Sequence, residues 1–282
     1  MSRAQRLLVY AALVMLSIPA ALPLVWMIST SLKSDQQVYV QQGSASRAFS
    51  VDALIPRPPH WSNYPKALRT VPLERYLRNT LLLCTLTVLG AVVSSAVVAY
   101  GFARIPFRGR SGLFLLCLAT MALPAQVTMI PVFELFRRLG WYGTYLPLFV
   151  PSLFGVPFYI FLLTQFFRTI PEEIAESARI DGAGEGAIFA RMALPLAKPA
   201  LATCALFQFL GTWNDFFGPL LYINDPSRYT LAYGLQQFLS AYGGQWTQLM
   251  AAATLFTLPI ILLFFFAQRT FIQGIATTGG KN

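Results

Sequence analysis

Long runs of apolar residues, separated by shorter segments that carry most of the charge, make up the greater part of this chain. An α-helix needs about 20 consecutive apolar residues to cross the hydrocarbon core of a bilayer. On this criterion the pattern predicts an all-α membrane protein with a single transmembrane domain over residues 1–282. The six predicted spans lie at about residues 7–32, 76–103, 112–133, 145–167, 199–222 and 249–268.

The first apolar run, Leu7–Leu32, has to be distinguished from a secretory signal peptide. The apolar region of a signal peptide has about 7–15 residues, which is shorter than this run. We therefore interpret the run as a true membrane span that is kinked at Pro19 and Pro23. Prolines recur in the later apolar runs, which favours a transport-type bundle with bent helices over a simple membrane anchor.

Arginine and lysine are unevenly distributed among the segments that join the predicted spans. With the N-terminus placed inside, the short outer loops contain only Arg137, Arg138 and Arg228, and the short inner segments contain more. The positive-inside rule therefore predicts that both termini are cytoplasmic. In this topology residues 33–75 form a long outer loop, and residues 168–198 form a hairpin on the cytoplasmic side.

Composition supports a polytopic membrane protein and excludes several other classes. Hydrophobic residues make up 56% of the chain and charged residues 11%, less than half the charged share of a typical soluble domain. The net charge of +10 does not indicate nucleic-acid binding, because the basic residues are dispersed between apolar runs. With one histidine and three isolated cysteines, we expect neither a metal site nor an enzyme.

The predicted hairpin gathers five of the eleven acidic residues of the chain in the stretch PEEIAESARIDGAGEGAIFARMALPLAKP, Pro171–Pro199. Thr169 and Glu172 match a capping box at the start of a helix, and Gly182 suits the left-handed conformation that ends one. A second short helix follows before Leu194–Pro195, which marks the entry to the next span. The pattern predicts a helix, a tight turn and a short helix.

Several functions of this hairpin can be compared on chemical grounds. A solvated connector is one interpretation, but connectors between helices usually have roughly 2–8 residues and longer ones tend to be functional. A phosphate-binding P-loop needs a lysine that DGAGEG lacks, and an EF-hand needs carboxylates at spacings that are absent here. A docking element for a cytoplasmic partner explains the hairpin better.

Three parts of the hairpin resemble the EAA motif of permease subunits in binding-protein-dependent ABC importers. They are Glu176–Ala178, then Gly182 after three more residues, then Met192–Pro195. The DGA at Asp181–Ala183 and the LPLAKPA at Leu194–Ala200 are similar to the carbohydrate-uptake branch, as in maltose-type permeases. Further matches are RNT (Arg78–Thr80), AYGFARIPFRGR (Ala99–Arg110), WND (Trp213–Asp215) and QRTFIQG (Gln268–Gly274).

Two residues depart modestly from the motif, since Ser177 replaces its second alanine and Met192 its isoleucine. The resemblance covers about residues 5–280 and implies the type I ABC importer permease fold, in the bacterial or archaeal cytoplasmic membrane. It implies that the hairpin is a coupling helix seated in a cleft of an ATPase subunit. The contact residues that it implies are Glu172, Glu173, Glu176, Ser177, Ala178, Asp181, Gly182, Ala183, Phe189, Leu194 and Pro195.

The same resemblance implies the composition of a complex: a second permease subunit, giving a heterodimer, two ATP-binding cassette subunits, an extracytoplasmic solute-binding protein and membrane lipid. ATP and Mg²⁺ would be bound by the cassette subunits, and this chain would bind no cofactor itself. Closure of the cassettes would pull the hairpins and switch the cavity by alternating access. The expected solute is a mono- or oligosaccharide, or a related polyol or glycerol-phosphate compound.

Polar side chains within the predicted spans are candidates for the solute path. Each has a structural explanation as well, such as a helix cap, a bond between helices or an aromatic belt. An importer of a non-sugar solute is an alternative, and so is an ion-coupled carrier, for which Asp215 is the single candidate acid and lies toward the outer end of its span. The candidates are Asn79, Gln126, Gln208, Trp213, Asn214 and Asp215.

Overall fold

The computed structural model describes residues 2–42, 54–240 and 244–279, so residues 43–53 of the predicted outer loop lie outside the described part of the chain. No β-strand occurs among the described residues, and short 3-10 helices (Val150–Phe154, Pro226–Arg228) and a π-helix (Phe189–Ala193) accompany the α-helices. In chain order the α-helices are α1 (Arg3–Ser31), α2 (Asp35–Gln42), α3 (Asn63–Thr70), α4 (Leu73–Arg104), α5 (Arg110–Thr120), α6 (Ala125–Arg138), α7 (Leu146–Phe149), α8 (Pro157–Thr169), α9 (Glu172–Ile180), α10 (Glu185–Ile188), α11 (Leu194–Leu196), α12 (Lys198–Trp213), α13 (Phe217–Tyr222), α14 (Leu231–Ser240) and α15 (Trp246–Gly279).

Four helical stretches in the described chain are long and apolar enough to cross a membrane. They are α1, α4, the stretch Leu146–Thr169 that contains α7 and α8, and Trp246–Phe266 in α15. Two further stretches meet the criterion only as bent pairs: α5 with α6, at 96°, and Glu185–Leu196 with α12, at 77°. The protein is therefore an all-α, multi-pass membrane protein with four to six candidate crossings.

The predicted span over residues 112–133 is not one straight helix. The helix α5 ends at Thr120, and α6 begins at Ala125, directly after Pro124. Proline lacks an amide donor and disfavours helical geometry in the residue before it, which interrupts the helix here. The 11 residues of α5 rise only about 16 Å at 1.5 Å per residue, so α5 alone is too short for a bilayer core of about 30 Å.

The predicted span over residues 199–222 is also divided. The helix α12 ends at Trp213, and the separate six-residue helix α13 begins at Phe217. Between them, Asp215 Oδ1 accepts a hydrogen bond from the Gly218 N–H at 2.9 Å. A local bond of this kind between a side chain and the backbone competes with continuation of a helix.

One compact unit comprises Met1–Arg75 and Gly234–Ile261. The buried side chain of Asn63 donates to the carbonyls of Ser31 (2.9 Å) and Lys33 (2.8 Å). Buried carbonyls beyond a helix end need such donors, because no intrahelical N–H reaches them. The described parts of the predicted outer loop are therefore ordered against the end of α1, and they contain α2 and α3.

The second compact unit comprises Tyr76–Tyr233 and Leu262–Asn282. In its core, buried alanines of α4 belong to the same cluster as Leu163 and Phe167 of α8 and Cys204 of α12. Small residues on one helix let a second helix backbone approach closely, which is the main source of packing between helices in a membrane.

Gly90 lies where α4 approaches the 3-10 helix Val150–Phe154. A Cβ atom at this position would lie 2.7 Å from Ser152 Oγ and 2.8 Å from Leu153 Cδ2. We expect Gly90→Val to destabilise the protein by roughly 1–3 kcal/mol, the usual cost of overpacking, measured as a lower Tm in detergent. Gly101→Val is the matched control on α4, because a Cβ there meets no atom within 4 Å. Equal losses of Tm in the two variants would contradict this packing explanation.

Candidate functional site

The first arm of the hairpin is α9, which begins at Glu172 with Pro171 in the N-cap position. The predicted capping box is wrong, because the Thr169 hydroxyl donates instead to the Phe166 carbonyl at 2.8 Å. Proline has no amide that needs a partner at a helix start, but its side chain accepts no hydrogen bond, so α9 begins without a side-chain cap. Glu172 and Glu173 do occupy the first turn, where the helix dipole favours acidic side chains.

Gly182 ends the first arm in the way that the sequence indicates. Its φ of +82° lies in the left-handed region. Its N–H donates to the Arg179 carbonyl at 3.0 Å, and the Ala183 N–H donates to the Ala178 carbonyl at 2.9 Å. These are the two bonds of a Schellman motif, so the turn that leads to the second arm has a defined geometry.

The inner face of α9 is made of small residues. Ala175 and Ala178 are buried and pack with Ile188 of the second arm, and Ala183 and Met192 lie against this cluster. Since alanine side chains occupy little space, α9 can lie close to the second arm. The two arms therefore form one packed hairpin.

The outer face of α9 has a different character. Glu173, Glu176, Ser177 and Ile180 are all exposed there. Ile180 is 86% exposed, more than any other large hydrophobic side chain in the described chain. The outer face of α9 thus presents one large apolar side chain among acidic residues.

Three of the predicted contact residues belong to internal packing. Phe189 lies against Tyr100 and Phe167, with ring centroids 5.0 and 6.4 Å apart, and Leu194 packs on the same core cluster. Ala178, on the inner face of α9, is buried, which favours a packing role, whereas Phe189 and Leu194 are only partly buried. Direct docking by these three residues stays a prediction.

Arg104, the last residue of α4, reaches the base of the hairpin. Its guanidinium donates to the Glu172 carboxylate, to the Ile170 carbonyl and to the Phe167 carbonyl, the last at 2.6 Å. The Arg104 side chain is only 9% exposed. A buried cation requires such acceptors, and the planar guanidinium can serve several of them at once.

Arg179 joins the two arms of the hairpin. It donates to Glu185 Oε1 at 2.9 Å and to Glu172 Oε1 at 3.4 Å. The Tyr100 hydroxyl on α4 donates to Glu185 Oε2 at 2.9 Å. We call Tyr100, Arg104, Glu172, Arg179 and Glu185 together the hairpin network.

These contacts change the ionisation of two groups in the hairpin. The hydrogen bond with Glu185 raises the pKa of Arg179 above its ordinary value. Burial alone would raise the pKa of Glu185, but hydrogen bonds from Arg179 and Tyr100 lower it below its usual value. Each charged form is stabilised by its partner, which favours the ionised states of Arg179 and Glu185 at neutral pH.

A cavity of about 250 Å³ lies among α4, α7, α12 and α13. Two of the predicted path residues, Gln208 and Asp215, line it together with Thr212. Gln208 Nε2 donates to Thr212 Oγ1 at 3.2 Å, and the hydroxyls of Thr212 and Thr87 are 2.9 Å apart. In the described chain, no group of three or more potential metal ligands could hold a metal ion.

The other four path candidates lie elsewhere. Asn79 donates both amide hydrogens to carbonyls in the segment 227–229, at 2.9 and 3.0 Å. Trp213 is fully buried, Asn214 donates to a carbonyl of its own helix, and Gln126 is exposed on α6. The bonds of Asn79 favour a structural role in fixing a loop, and a path role for any of the four stays a prediction.

Comparison with known proteins gives this helical bundle a family. The model for the binding-protein-dependent transport system inner membrane component matches residues 75–277. The chain belongs to this family. It is a permease, the non-catalytic membrane subunit of an ABC importer.

Curated relatives resemble the permease over most of its length. The probable ABC transporter permease protein YurM of Bacillus subtilis is 32% identical over 274 residues, which cover 97% of this chain and 88% of the relative. The arabinooligosaccharides transport system permease protein AraQ of Halalkalibacterium halodurans is 34% identical over 203 residues, 72% of each chain. The trehalose/maltose transport system permease protein MalG of Thermococcus litoralis is 28% identical over 276 residues, 96% of this chain and 95% of the relative.

Solved structures show the same fold. The permease matches a chain of a bacterial ABC transporter that imports the acidic polysaccharide alginate with a TM-score of 0.80 and 24% identity, covering 96% of this chain and 99% of that one. A chain from the alginate transporter in complex with a pentasaccharide-bound periplasmic protein matches with a TM-score of 0.60 and 15% identity, covering 93% of each. At these identities the likeness establishes the permease fold alone.

Sequence reasoning missed Tyr100, Arg104 and Arg179 as members of the permease's hairpin site. The stretch AYGFARIPFRGR contains the first two, but their partners Glu185 and Glu172 follow 85 and 68 residues later. The acidic residues of the hairpin indicated that cations were required nearby, without showing which of the basic residues would supply them.

Gly182→Ala should destabilise the hairpin turn by roughly 1–2 kcal/mol, because it places a Cβ in the left-handed region. Open space surrounds the position, so no new contact adds to this cost. Hydrogen exchange at the Ala183 amide, which donates across the turn, should become faster. Gly184→Ala is the control, since Gly184 has a φ of −74° and also lies in open space. Equal exchange rates in the two variants would contradict the role assigned to Gly182.

Proposed function

We propose that this permease moves a sugar from an extracytoplasmic solute-binding protein into the cytoplasm, driven by separate ATPase subunits. The names of several curated relatives support a sugar as the solute, since they specify arabinooligosaccharides, diacetylchitobiose, alpha-glucosides and trehalose or maltose. The proposed solute class is a mono- or oligosaccharide, or a related polyol or glycerol-phosphate compound.

The exposure of Ile180 is the observation that carries the proposed coupling to an ATPase subunit. This side chain is 86% exposed on a helix that lies outside the predicted membrane spans, so lipid does not account for it. An exposed isoleucine gains roughly 1.5–3 kcal/mol when a partner covers it. Glu173, Glu176 and Asp181 are exposed at neighbouring positions of the same helix and turn, which favours a partner cleft with an apolar floor and a basic rim.

The inner face of α9 supports a mechanical role for the hairpin. Because Ala175 and Ala178 pack against Ile188, a force on α9 acts on the second arm as well, and the second arm leads into α12. In the proposed cycle, ATP and Mg²⁺ bind to the ATPase subunits, whose closure moves the hairpin. The membrane helices then exchange an inward-facing packing for an outward-facing one.

The topology and partners of the complex form part of the same proposal. Both termini and the hairpin lie in the cytoplasm, and the chain lies in a bacterial or archaeal cytoplasmic membrane. A second permease subunit completes the path as a heterodimer, with two ATPase subunits inside and the solute-binding protein outside. The excess of basic residues in the short inner segments supports this orientation.

The cavity beside α12 is the proposed part of the solute path in this subunit. Gln208, Thr212 and Asp215 supply an amide, a hydroxyl and a carboxylate, which are suitable hydrogen-bond partners for sugar hydroxyls. Its volume of about 250 Å³ is below the roughly 300–1,000 Å³ of complete ligand pockets. A complete binding site therefore requires surface from the second permease subunit.

Ile180→Glu should weaken the association with the ATPase subunits by about 10- to 100-fold, because the apolar contact is lost. Co-purification of the subunits and binding-protein-stimulated ATP hydrolysis measure this effect. Ile180→Leu conserves the volume and polarity of the side chain and should remain near the parent. If Ile180→Glu retained both co-purification and stimulation, this face of α9 would not be the docking surface.

Asp215→Asn and Gln208→Leu should each reduce uptake by about tenfold while ATPase association is retained, because each removes one polar contact worth roughly 1–1.5 kcal/mol. Asparagine at 215 can still accept the Gly218 hydrogen bond, so the local turn is conserved. The solute is chosen by a thermal-shift screen of the cognate binding protein against sugars and amino acids, and uptake is measured in proteoliposomes.

Thr203→Ala is the control for the cavity variants, because Thr203 lies on the same helix as Gln208, does not line the cavity and donates to the Pro199 carbonyl of that helix. An equal loss of uptake in Thr203→Ala would contradict the path assignment. A binding protein that is stabilised by amino acids and by no sugar would overturn the proposed solute class.

A further inference from the structure

We infer that Tyr100 and Arg104 are positioning residues that make the end of α4 move with the hairpin. On this view, motion delivered by the ATPase subunits reaches α4 directly, in addition to α8 and α12, which continue into the hairpin through the chain. The inference rests on the proposed docking of α9 and extends it to a helix that is distant in sequence.

The contacts of Arg104 carry the first part of the inference. Its three acceptors lie on both sides of the joint between α8 and α9: the carbonyls of Phe167 and Ile170, and the carboxylate of Glu172. A guanidinium holds its donors in a rigid plane, so it fixes these acceptors relative to α4. If the hairpin moved away from α4, a cation that is 9% exposed would lose its partners, and an unpaired buried charge is strongly unfavourable.

Tyr100 supplies a second point of attachment, one helical turn before Arg104. Its hydroxyl donates to Glu185 at the start of the second arm, and its ring meets Phe167 edge-on with centroids 5.8 Å apart. α4 therefore holds the first arm through Glu172 and the second arm through Glu185. Arg179 donates to both of these carboxylates, which closes the network into a ring.

Attachment of α4 to both arms of the hairpin restricts the motion of the hairpin more than attachment to one arm would. A single hydrogen bond is a pivot about which the hairpin can still rotate, whereas two bonds to different arms fix its orientation relative to α4. The hairpin network therefore predicts that the hairpin moves as one body with α4 and does not slide past it. A network that merely added stability would change Tm without changing this relative motion.

The test measures the distance between α4 and the hairpin in the assembled importer, with the second permease subunit and the ATPase subunits present. Spin labels are placed at Val97, which is 54% exposed on α4, and at exposed Ala190 in the second arm. Distances are compared in the nucleotide-free state and after trapping with ATP and vanadate. The native cysteines that must first be replaced by serine are Cys84, Cys117 and Cys204.

We expect the parent to give one narrow distance that is the same in both nucleotide states. Arg104→Gln should give a distance that broadens, or shifts between the two states, while the ATPase subunits remain bound. Arg104→Lys retains the charge without the planar fork, and should fall between the two. Tyr100→Phe keeps the aromatic packing and removes only the Glu185 bond, so it provides a well-folded variant if Arg104→Gln is unstable.

Combining Tyr100→Phe with Glu185→Ala distinguishes a specific bond from general damage. Because Tyr100→Phe removes the donor of this bond and Glu185→Ala removes its acceptor, the double variant should broaden the distance no more than the stronger single variant does. A parent distance that shifts with nucleotide would overturn the inference, and so would a distance in Arg104→Gln and Tyr100→Phe that matches the parent. A parent that fails to bind the ATPase subunits would overturn the proposed docking as well.

Discussion

The burial of the Arg104 guanidinium constrains the arrangement of the whole hairpin. Removing such a cation from water costs several kcal/mol unless its donors find acceptors. At the end of α8 the carbonyls of Phe167 and Ile170 accept from this guanidinium, and Glu172 adds a carboxylate at the start of α9. Arg104 therefore links the end of α4 to the end of α8 and the start of α9.

Around this base, α9 separates two kinds of surface. Its alanines face the second arm, where close packing and the Gly182 turn hold the hairpin together. Its acidic residues and Ile180 face outward. A helix that was polar on both faces would be a solvated connector, and one that was apolar on both would be buried. The observed division suits an element that is firmly attached to its own chain and still available to another.

Local patterns predicted much of this structure. Apolar runs located the membrane helices because span length is a property of composition, and Gly182 was recognisable because only its own backbone conformation is involved. The sharp bends were less predictable. Pro124 indicated an interruption, but the 96° angle between α5 and α6 depends on what the two helices pack against. The capping-box prediction was wrong because both Thr169 and Pro171 are compatible with the start of α9. The residue pattern alone does not determine which of them takes the N-cap position.

Long-range pairs were beyond such reasoning altogether. Arg104 and Glu172 are separated by 68 positions, and neither is unusual in its own neighbourhood. Asn79 illustrates the same limit, because a polar residue in an apolar run is equally compatible with a solute path and with the loop that it holds here. Such questions depend on the contacts of individual side chains, and these contacts depend on the packed fold.

The packed fold also relates the cavity to the hairpin, because both are built on α4 and α12. Leu83 of α4 and Gln208 of α12 line the cavity, and the hydroxyls of Thr87 and Thr212 join the two helices beside it. At the other end, α4 holds the hairpin through Tyr100 and Arg104, and the second arm leads into α12. Thr87 and Arg104 are 17 positions apart on one helix, or about 26 Å. In the proposed cycle, a shift of the hairpin would therefore reach the cavity through α4 and α12, which are joined directly beside the cavity and through the hairpin at the other end.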